Sequence, residues 1–474
     1  MNQRLIKGVC VFALSLSSMV GTVALADAPI LVTNTNDSGE GSLRAAVEQA
    51  SANNGGQIAV VAVGDIEIAA SLAYNGAGPL TILGNGQTIM TKQNVTLFAA
   101  TQGADLTISN LSFEGPGGFD IENRGDLDGD AGKGIFVDVR DDQTGVVSLI
   151  LDKVTVSGVA NHGVHVSDCS LADDCGGGSG GAGEGSLASI AVHLTDVTIE
   201  DAAYGKFDAD GLRVDERSDG DIRFTAIRST FARVGADGVE LDEGQSGDVI
   251  ARIADSMFVD NGGYCDPAIM GAFMPDVDEA EFEEGSVQED AIPAAVTGSP
   301  DNTCIEREVD LFDDGSVEAY EFAIDLDDGI DIDEAGDGSL YSMMINTLIA
   351  GNLDEGVDYD EEGNGDIIAH YVNSRARNNT DDGFKHSEED AGSVGGRMID
   401  SSARHNGGKG VVFEEEGAGD LSVMASGLVT GNNDDNDGTG LELVQEDEGT
   451  GEAEVAASDL PDGTDLDGVD LTLN

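Results

Sequence analysis

Carboxylates at a fixed spacing are the side chains of this sequence most able to do chemistry. Asp215, Asp242, Asp333, Asp360 and Glu414 each stand four residues after a glycine, and each is followed by a second acid, Glu216, Glu243, Glu334, Glu361 or Glu415. The glycines at 211, 238, 329, 356, 383 and 410 step by 27, 91, 27, 27 and 27 residues, and 91 is one repeat of 27 plus an insertion of 64. If each repeat is one rung of a stack, equivalent side chains come within about 4.8 Å, where two unit charges repel by about 0.9 kcal/mol even in bulk water. Such columns need cations, raised carboxylate pKa values or very salty surroundings. Among cations, Ca²⁺ accepts six to eight hard oxygen ligands in flexible geometry and is the cofactor these columns imply. Shorter candidates for the same ion are Asp126, Asp128 and Asp130 around Gly129, Asp434, Asp435 and Asp437 before Gly438, and Asp462, Asp465 and Asp467 before Gly468. None completes the twelve-residue EF-hand loop with its terminal bidentate Glu. The alternative is a solvated acidic face of the kind carried by proteins adapted to high salt.

A catalytic centre would need cations as well. Arg375, Arg377, Lys385, His386, Arg397, Arg404, His405 and Lys409 crowd into two adjacent repeats of a chain that has 22 Lys and Arg against 92 Asp and Glu. Arg375, Arg377, Lys385, His386 and Arg404 are the catalytic candidates. In that reading they form a cleft for a sugar acid, in which Arg or Lys neutralises the carboxylate and Lys385 or His386 moves a proton. In the other reading the cations neutralise neighbouring acidic rungs, and His386, in one column with Leu241, Ile332, Tyr359 and Phe413, points inward. No nucleophile elbow, P-loop, dinucleotide fingerprint or zinc-protease helix occurs.

The balance of charge excludes other functions. A formal net charge of -70 leaves no clustered basic surface from which nucleic acid could release counterions, and anionic membranes repel it too. A hydrophobic fraction of 40% is too high for a solvated disordered chain. Residues 1–26 carry Arg4 and Lys7, an apolar run from Val9 to Leu16 and Ala24-Leu25-Ala26, the layout of a signal peptide cleaved before Asp27. The expected location is secreted or periplasmic, and no later segment is apolar enough to span a bilayer. Four cysteines then remain in an oxidising compartment. Pairs Cys169–Cys175 and Cys265–Cys304 are the economical assignment among three connectivities, and a four-thiolate metal site lacks the C-x-x-C knuckles it would need.

Each repeat holds Gly, an apolar-x-apolar run, an acidic Gly-bearing turn, and a longer alternating stretch such as Ile222 to Ile227. Period-two alternation broken by Gly, Asp and Asn is strand and turn chemistry with no room for a helix of ten residues. Three short strands per 27 residues, repeated, make an all-β parallel β-helix whose stacked rungs share one long core. Asn261, Asn352, Asn379 and Asn406, each 23 residues after its glycine, would stack in a ladder of amides.

The Ser256-Met257-Phe258 to Asn261 cadence resembles the right-handed parallel β-helix repeat of pectate-lyase-like proteins, over roughly residues 80 to 455. The opening Val32 to Val47, with Asp37-Ser38-Gly39-Glu40-Gly41-Ser42, is similar to the N-terminal cap of secreted bacterial β-helix surface proteins, and implies a short helix over Leu43 to Ala50 begun by Asp37 or Ser38. Asn161-His162-Gly163 faintly resembles a motif of polygalacturonase-like hydrolases, yet lacks its first Gly and its accompanying Arg-x-Lys, so His162 and His165 read as turn and strand residues. The family spans lyases, epimerases and adhesins, so the resemblance assigns no chemistry. The expected organisation is a signal peptide (1–26), a cap with first strands (27–79), β-helix coils (80–262), an inserted loop (263–325), further coils (326–455) and an acidic C-terminal cap or tail (456–474). The insertion holds four of the eight prolines. It is the expected contact for a polysaccharide or another surface protein, with Tyr264, Phe273, Met274 and Phe282 as apolar anchors. The function expected is non-enzymatic binding or structure at the cell exterior, stabilised by calcium, with a polysaccharide lyase, epimerase or glycoside hydrolase as the alternative.

Overall fold

The computed structural model describes residues 28–123, 132–168, 185–275, 282–288, 291–292, 302–312, 314–434, 438–446 and 449–474. The leader, Asp126, Asp128, Asp130, Cys169, Cys175, Asp435 and Asp437 lie outside the described residues.

Alternating apolar and polar residues in runs of five or six can bury one side only, and the chain satisfies this by winding into a parallel β-helix. Leu212–Glu216 pairs in parallel with Val239–Glu243, which pairs with Ile330–Glu334 and then Val357–Glu361, so every partner lies one repeat along the chain. Ser387–Glu388, Val412–Glu415 and Leu441–Gln445 extend this acidic ladder within a sheet of 12 strands. A long ladder runs through Ile222–Ile227, Val249–Ala254, Leu340–Ile345 and Ile367–Val372. A short ladder runs through Thr230–Val234, Met257–Val259, Leu348–Ala350, Arg375–Arg377 and Ser402–Arg404. In the first coils the strand Thr144–Ser157 is long enough to serve both of these ladders, which therefore belong to one sheet of 22 strands. The inward side chains Leu212, Val239, Ile330 and Val357, with Ile222, Phe224 and Ala226, are all fully buried. Each contributes roughly 1.5–3 kcal/mol if large, and rungs share one continuous core.

Corners are set by side chains that tolerate the left-handed region. Between the long and short ladders Asp255, Asn346, Asn373 and Asp400 have φ of 54°, 55°, 51° and 49°, a conformation in which Asn and Asp are several-fold enriched. At the next corner the amide ladder forms as its spacing implies: Asn261 Nδ2 donates to Asn352 Oδ1 (3.0 Å), Asn352 to Asn379 (3.0 Å) and Asn379 to Asn406 (3.1 Å). The column runs further than the four positions named from the sequence, because Asn406 Nδ2 donates on to Asn433 Oδ1 at 2.9 Å.

The N-terminal helix spans Leu43–Ala52 and packs Leu43, Ala46, Val47 and Ala50 against the first strands. Ser42, rather than Asp37 or Ser38, is its N-cap, with Oγ accepting from Ala45 N–H, while Asp37 pairs with Arg44 at 2.7 Å. The insertion carries an antiparallel hairpin, Ile305–Leu311 with Val317–Ile324, and its own core, so it is more than a loop. Cys265 and Cys304 are disulfide-bonded, with Cα atoms 5.4 Å apart. Phe273, Met274 and Phe282 are half-buried and pack on that core. The tail adds another rung, since Thr464–Asp467 and Val469–Leu473 continue the acidic and long ladders. Among the described residues no helix is long and apolar enough to cross a membrane.

Candidate functional site

Strand alternation on the acidic ladder turns residues one and three places after each repeat glycine inward, and residues two and four places after it outward. The register then fixes two outward columns: His165, Arg213, Glu240, Asp331 and Asp358, and beside it Ser167, Asp215, Asp242, Asp333 and Asp360. Residues just before the glycines, among them His162, Asp210, Asp237, Asp328 and Glu355, flank the same face.

The early half of this face is neutralised by side chains. Lys133 Nζ lies 2.5 Å from His165 Nδ1, and His165 Nε2 lies 2.6 Å from Asp215 Oδ2. A neutral His165 bearing its proton on Nε2 satisfies both contacts, accepting from Lys133 and donating to Asp215. Burial, then the charge of Lys133, lower the His165 pKa to about 4. Burial opposes ionisation of Asp215, yet Arg213 and His165 together hold its carboxyl well below the usual range. Arg213 Nε meets Asp215 at 2.7 Å and its Nη1 meets Glu240, while Arg217, fully buried, grips Asp242 with both nitrogens. His162 Nδ1 accepts from Asp210 N–H at 3.0 Å.

Among the described residues the later half has no such cations until Lys385, whose Nζ reaches Asp358 at 2.8 Å and Glu355 at 3.7 Å. Here carboxylates gather in threes, with ligand atoms within 4.8 Å of one another: Glu240, Asp331 and Asp333; Asp328, Glu355 and Asp358; Asp354, Glu355 and Asp381. A fourth group, Asp208, Asp210 and Glu240, lies beside Arg213. Asp328 Oδ1 and Asp358 Oδ1 are buried with no hydrogen-bond partner. Burial, then the charges of Glu355 and Asp237, push the Asp328 carboxyl well above its ordinary value, and burial with Asp358 raises Glu355 to about 10. A hard cation would satisfy those orphan oxygens and reverse the shifts. The donor set of Asp328, Glu355 and Asp358 therefore fits calcium.

One residue further along each strand, the second acidic column turns inward. Glu216, Glu243, Glu334, Glu361, Glu388 and Glu415 are at most 1% exposed. Each accepts from N–H groups of the turn it begins, as Glu361 Oε1 does from Gly365 at 3.0 Å and Glu388 Oε1 from Gly392 at 2.6 Å. Neighbouring carboxyls also lie close enough along the column to raise one another's pKa, Glu216 and Glu334 acting on Glu243, and Glu334 on Glu361. Glu334 Oε1, Glu361 Oε2 and Glu388 Oε2 are buried with no hydrogen-bond partner among the described residues, a deficit that a proton shared between neighbouring carboxyls would meet. Burial first, then neighbouring acids, raise Glu216, Glu243 and Glu361 to about 8, 11 and 9. At the end of the column Gln445, a side chain that always carries donors, gives its amide to Glu415.

The residues proposed from the sequence are dispersed. Arg375, Arg377 and Arg404 are exposed on the short ladder, Lys385 is on the acidic face, and His386 is fully buried inside the solenoid. His386 donates from Nδ1 to the Val412 carbonyl (2.8 Å), meets Tyr371 Oη at 2.7 Å and stacks on Phe413 at 4.1 Å, and burial lowers its pKa to about 3. These five do not share one face, because the strand direction and alternation send Arg375, Arg377 and Arg404 outward on the short ladder, Lys385 outward on the acidic ladder and His386 into the core. Among the metal candidates Asp215 and Asp242 are occupied by Arg and His, and Asp333 joins a cluster of three carboxylates. Asp360 stacks between Asp333 and Ser387, and Asp434 sits at a corner with φ 49°. Lys133, His165, Arg213 and Arg217 were missed, since their relation emerges only when unlike residues at equivalent repeat positions are compared across coils.

No protein-family model matches the chain, and no curated protein matches it in sequence. Solved structures similar to it include ORF18 of Geobacillus virus E2 (11% identity, TM-score 0.36), covering 93% of this chain and 61% of that one. The A-module of Azotobacter vinelandii mannuronan C-5 epimerase AlgE6 (10% identity, TM-score 0.40) is covered over 98% of its length by 93% of this chain. The pectate lyase Pel9A (12% identity, TM-score 0.34) is covered over 79% by 92% of this chain. At such identities and TM-scores these likenesses assign no activity to the chain.

Proposed function

We propose that this protein is a secreted or periplasmic β-helix that binds calcium on its acidic ladder and uses that face, without catalysis, to hold an anionic polysaccharide at the cell exterior. The observation that carries the reading is the cluster of Asp328, Glu355 and Asp358, where two buried carboxylate oxygens have no partner. Asp354 and Asp381, at the edge of the same group, are more open to solvent and leave room for a ligand oxygen on a bound ion. A ligand that binds only the native state stabilises it by about 2.7 kcal/mol at a hundred times its Kd. Thermal unfolding at fixed ionic strength should therefore show a calcium-specific rise in midpoint that the double substitution Asp328→Asn, Asp358→Asn abolishes. Equal rises with calcium, magnesium and added sodium chloride would leave only charge screening.

A second reading rests on the line Lys133–His165–Asp215. A lysine linked through a neutral imidazole to a buried carboxylate can move a proton, as a polysaccharide lyase or epimerase requires. Incubating the calcium-loaded protein with polyuronates and following unsaturated ends and ring-proton exchange separates the two: turnover that is lost in Lys133→Met assigns catalysis, and binding without turnover assigns the first reading.

A further inference from the structure

A cavity of about 350 Å³ lies where the insertion joins the solenoid, lined by Phe119, Tyr204, Tyr264 and Ile269, with Asp201 and Arg233 among its polar residues. Its size falls in the range of small-ligand sites, which combine apolar walls with a few converging polar groups. Tyr264 is fully buried beside the disulfide-bonded Cys265, and Ile121 from the opposite wall belongs to the core of the insertion, so the walls are built on packed elements.

We infer that this cavity is a binding site for an uncharged sugar ring. The half-exposed Phe119 and Tyr204, with Ile269, offer the apolar surface on which the C–H face of a sugar packs. Tyr204 Oη makes no hydrogen bond with the protein's described residues, and burial first, then Asp201, raise its pKa to about 12, so it stays a donor. Arg233 Nε meets Asp201 Oδ1 at 2.8 Å and its Nη2 meets Glu200 Oε2 at 2.7 Å. That ion pair is already compensated. An anionic ligand would have to displace Asp201 or Glu200, whereas sugar hydroxyls can donate to the carboxylate and accept from the guanidinium without breaking it. Gly117 and Gly118, with φ of 65° and 75°, bring bare backbone to the rim.

The test is calorimetric titration of the full chain, in the presence of chelator, with uncharged hexasaccharides of glucose, mannose and galactose and with acidic hexauronates. At least one uncharged probe should bind. Tyr204→Phe, which removes one hydroxyl, should weaken it by about fivefold. Ile269→Glu, at a half-exposed position, should weaken it by roughly tenfold or more by placing a charge against the sugar. Both variants should keep the unfolding midpoint of the parent. Failure of all three uncharged probes, indifference to both substitutions, or tighter binding of a hexauronate that Ile269→Glu weakens would each overturn the inference. Chelator removes any contribution of a calcium-loaded face, so failure here and failure of the proposed function are told apart.

Discussion

The two acidic columns of the acidic ladder differ by one residue in each strand and by everything in their electrostatics. Asp215, Asp242, Asp333 and Asp360 face outward, where Arg213, Arg217 and His165 reach the first two and leave the others among further acids. Glu216, Glu243, Glu334 and Glu361 face inward, where among the described residues no Lys or Arg forms an ion pair with them. Acids one residue apart on the same strand thus meet different surroundings: Asp215 and Asp242 face guanidinium groups, whereas the inner glutamates face one another and the N–H groups of their turns. A row of carboxylates is therefore not by itself a metal site: what decides is whether its oxygens can be satisfied by turn N–H groups and by each other.

The largest effect that would break this contrast is removal of one link from the inner column. Glu361→Ala takes away the acceptor of the Gly365 N–H and a partner of Glu334, and should cost about 2–4 kcal/mol in denaturant unfolding. A loss below half of that would show that water replaces the carboxyl and that the column is not a structural element.

The pH dependence sharpens it further. Native Glu216, Glu243 and Glu361 keep their protons up to about 8, 11 and 9, against an ordinary value of 4.5. The native state thus binds more protons than the unfolded chain across this window, so their contribution is complete below the unfolded value and is lost as pH rises through the native ones. In chelator, the thermal midpoint should fall steadily from about pH 5 to about pH 9, and Glu243→Gln, which installs the donor that Gln445 already supplies at the end of the column, should flatten that fall. A midpoint that rises with pH would refute the shared protons.

The smallest effect tests the cations that lie on neither column. Arg375 and Arg377 are exposed on the short ladder, so Arg375→Ala and Arg377→Ala should each change stability by less than about 0.5 kcal/mol and leave polysaccharide binding unaltered. A clear loss of binding would return attention to the short ladder as the functional face.

Much of the fold was legible because a repeat converts sequence spacing into spatial register. The step of 27 residues placed Asp333 over Asp360 and Asn352 over Asn379, as the strand pairing and the amide bonds show. His386 was legible as an inward residue by the same reasoning, through its column with Tyr359 and Phe413. The insertion was legible as an interruption with a cysteine pair, Cys265 and Cys304, but its hairpin and core depend on packing of Ile121 with the segment around Tyr264, which no period announces.

By itself, then, the sequence determined the winding: alternation chose strands, Asn and Asp at corners permitted the turns, and equal spacing made each rung the template of the next. Only the tertiary structure decided which acids keep their charge. That depends on whether a carboxylate faces solvent, a guanidinium or another carboxylate, and such contacts join Lys133 to His165, Arg213 to Glu240 and Arg217 to Asp242 across rungs. Charge stabilisation falls off over a few ångströms and desolvation grows with enclosure, so neither can be read from composition, however acidic.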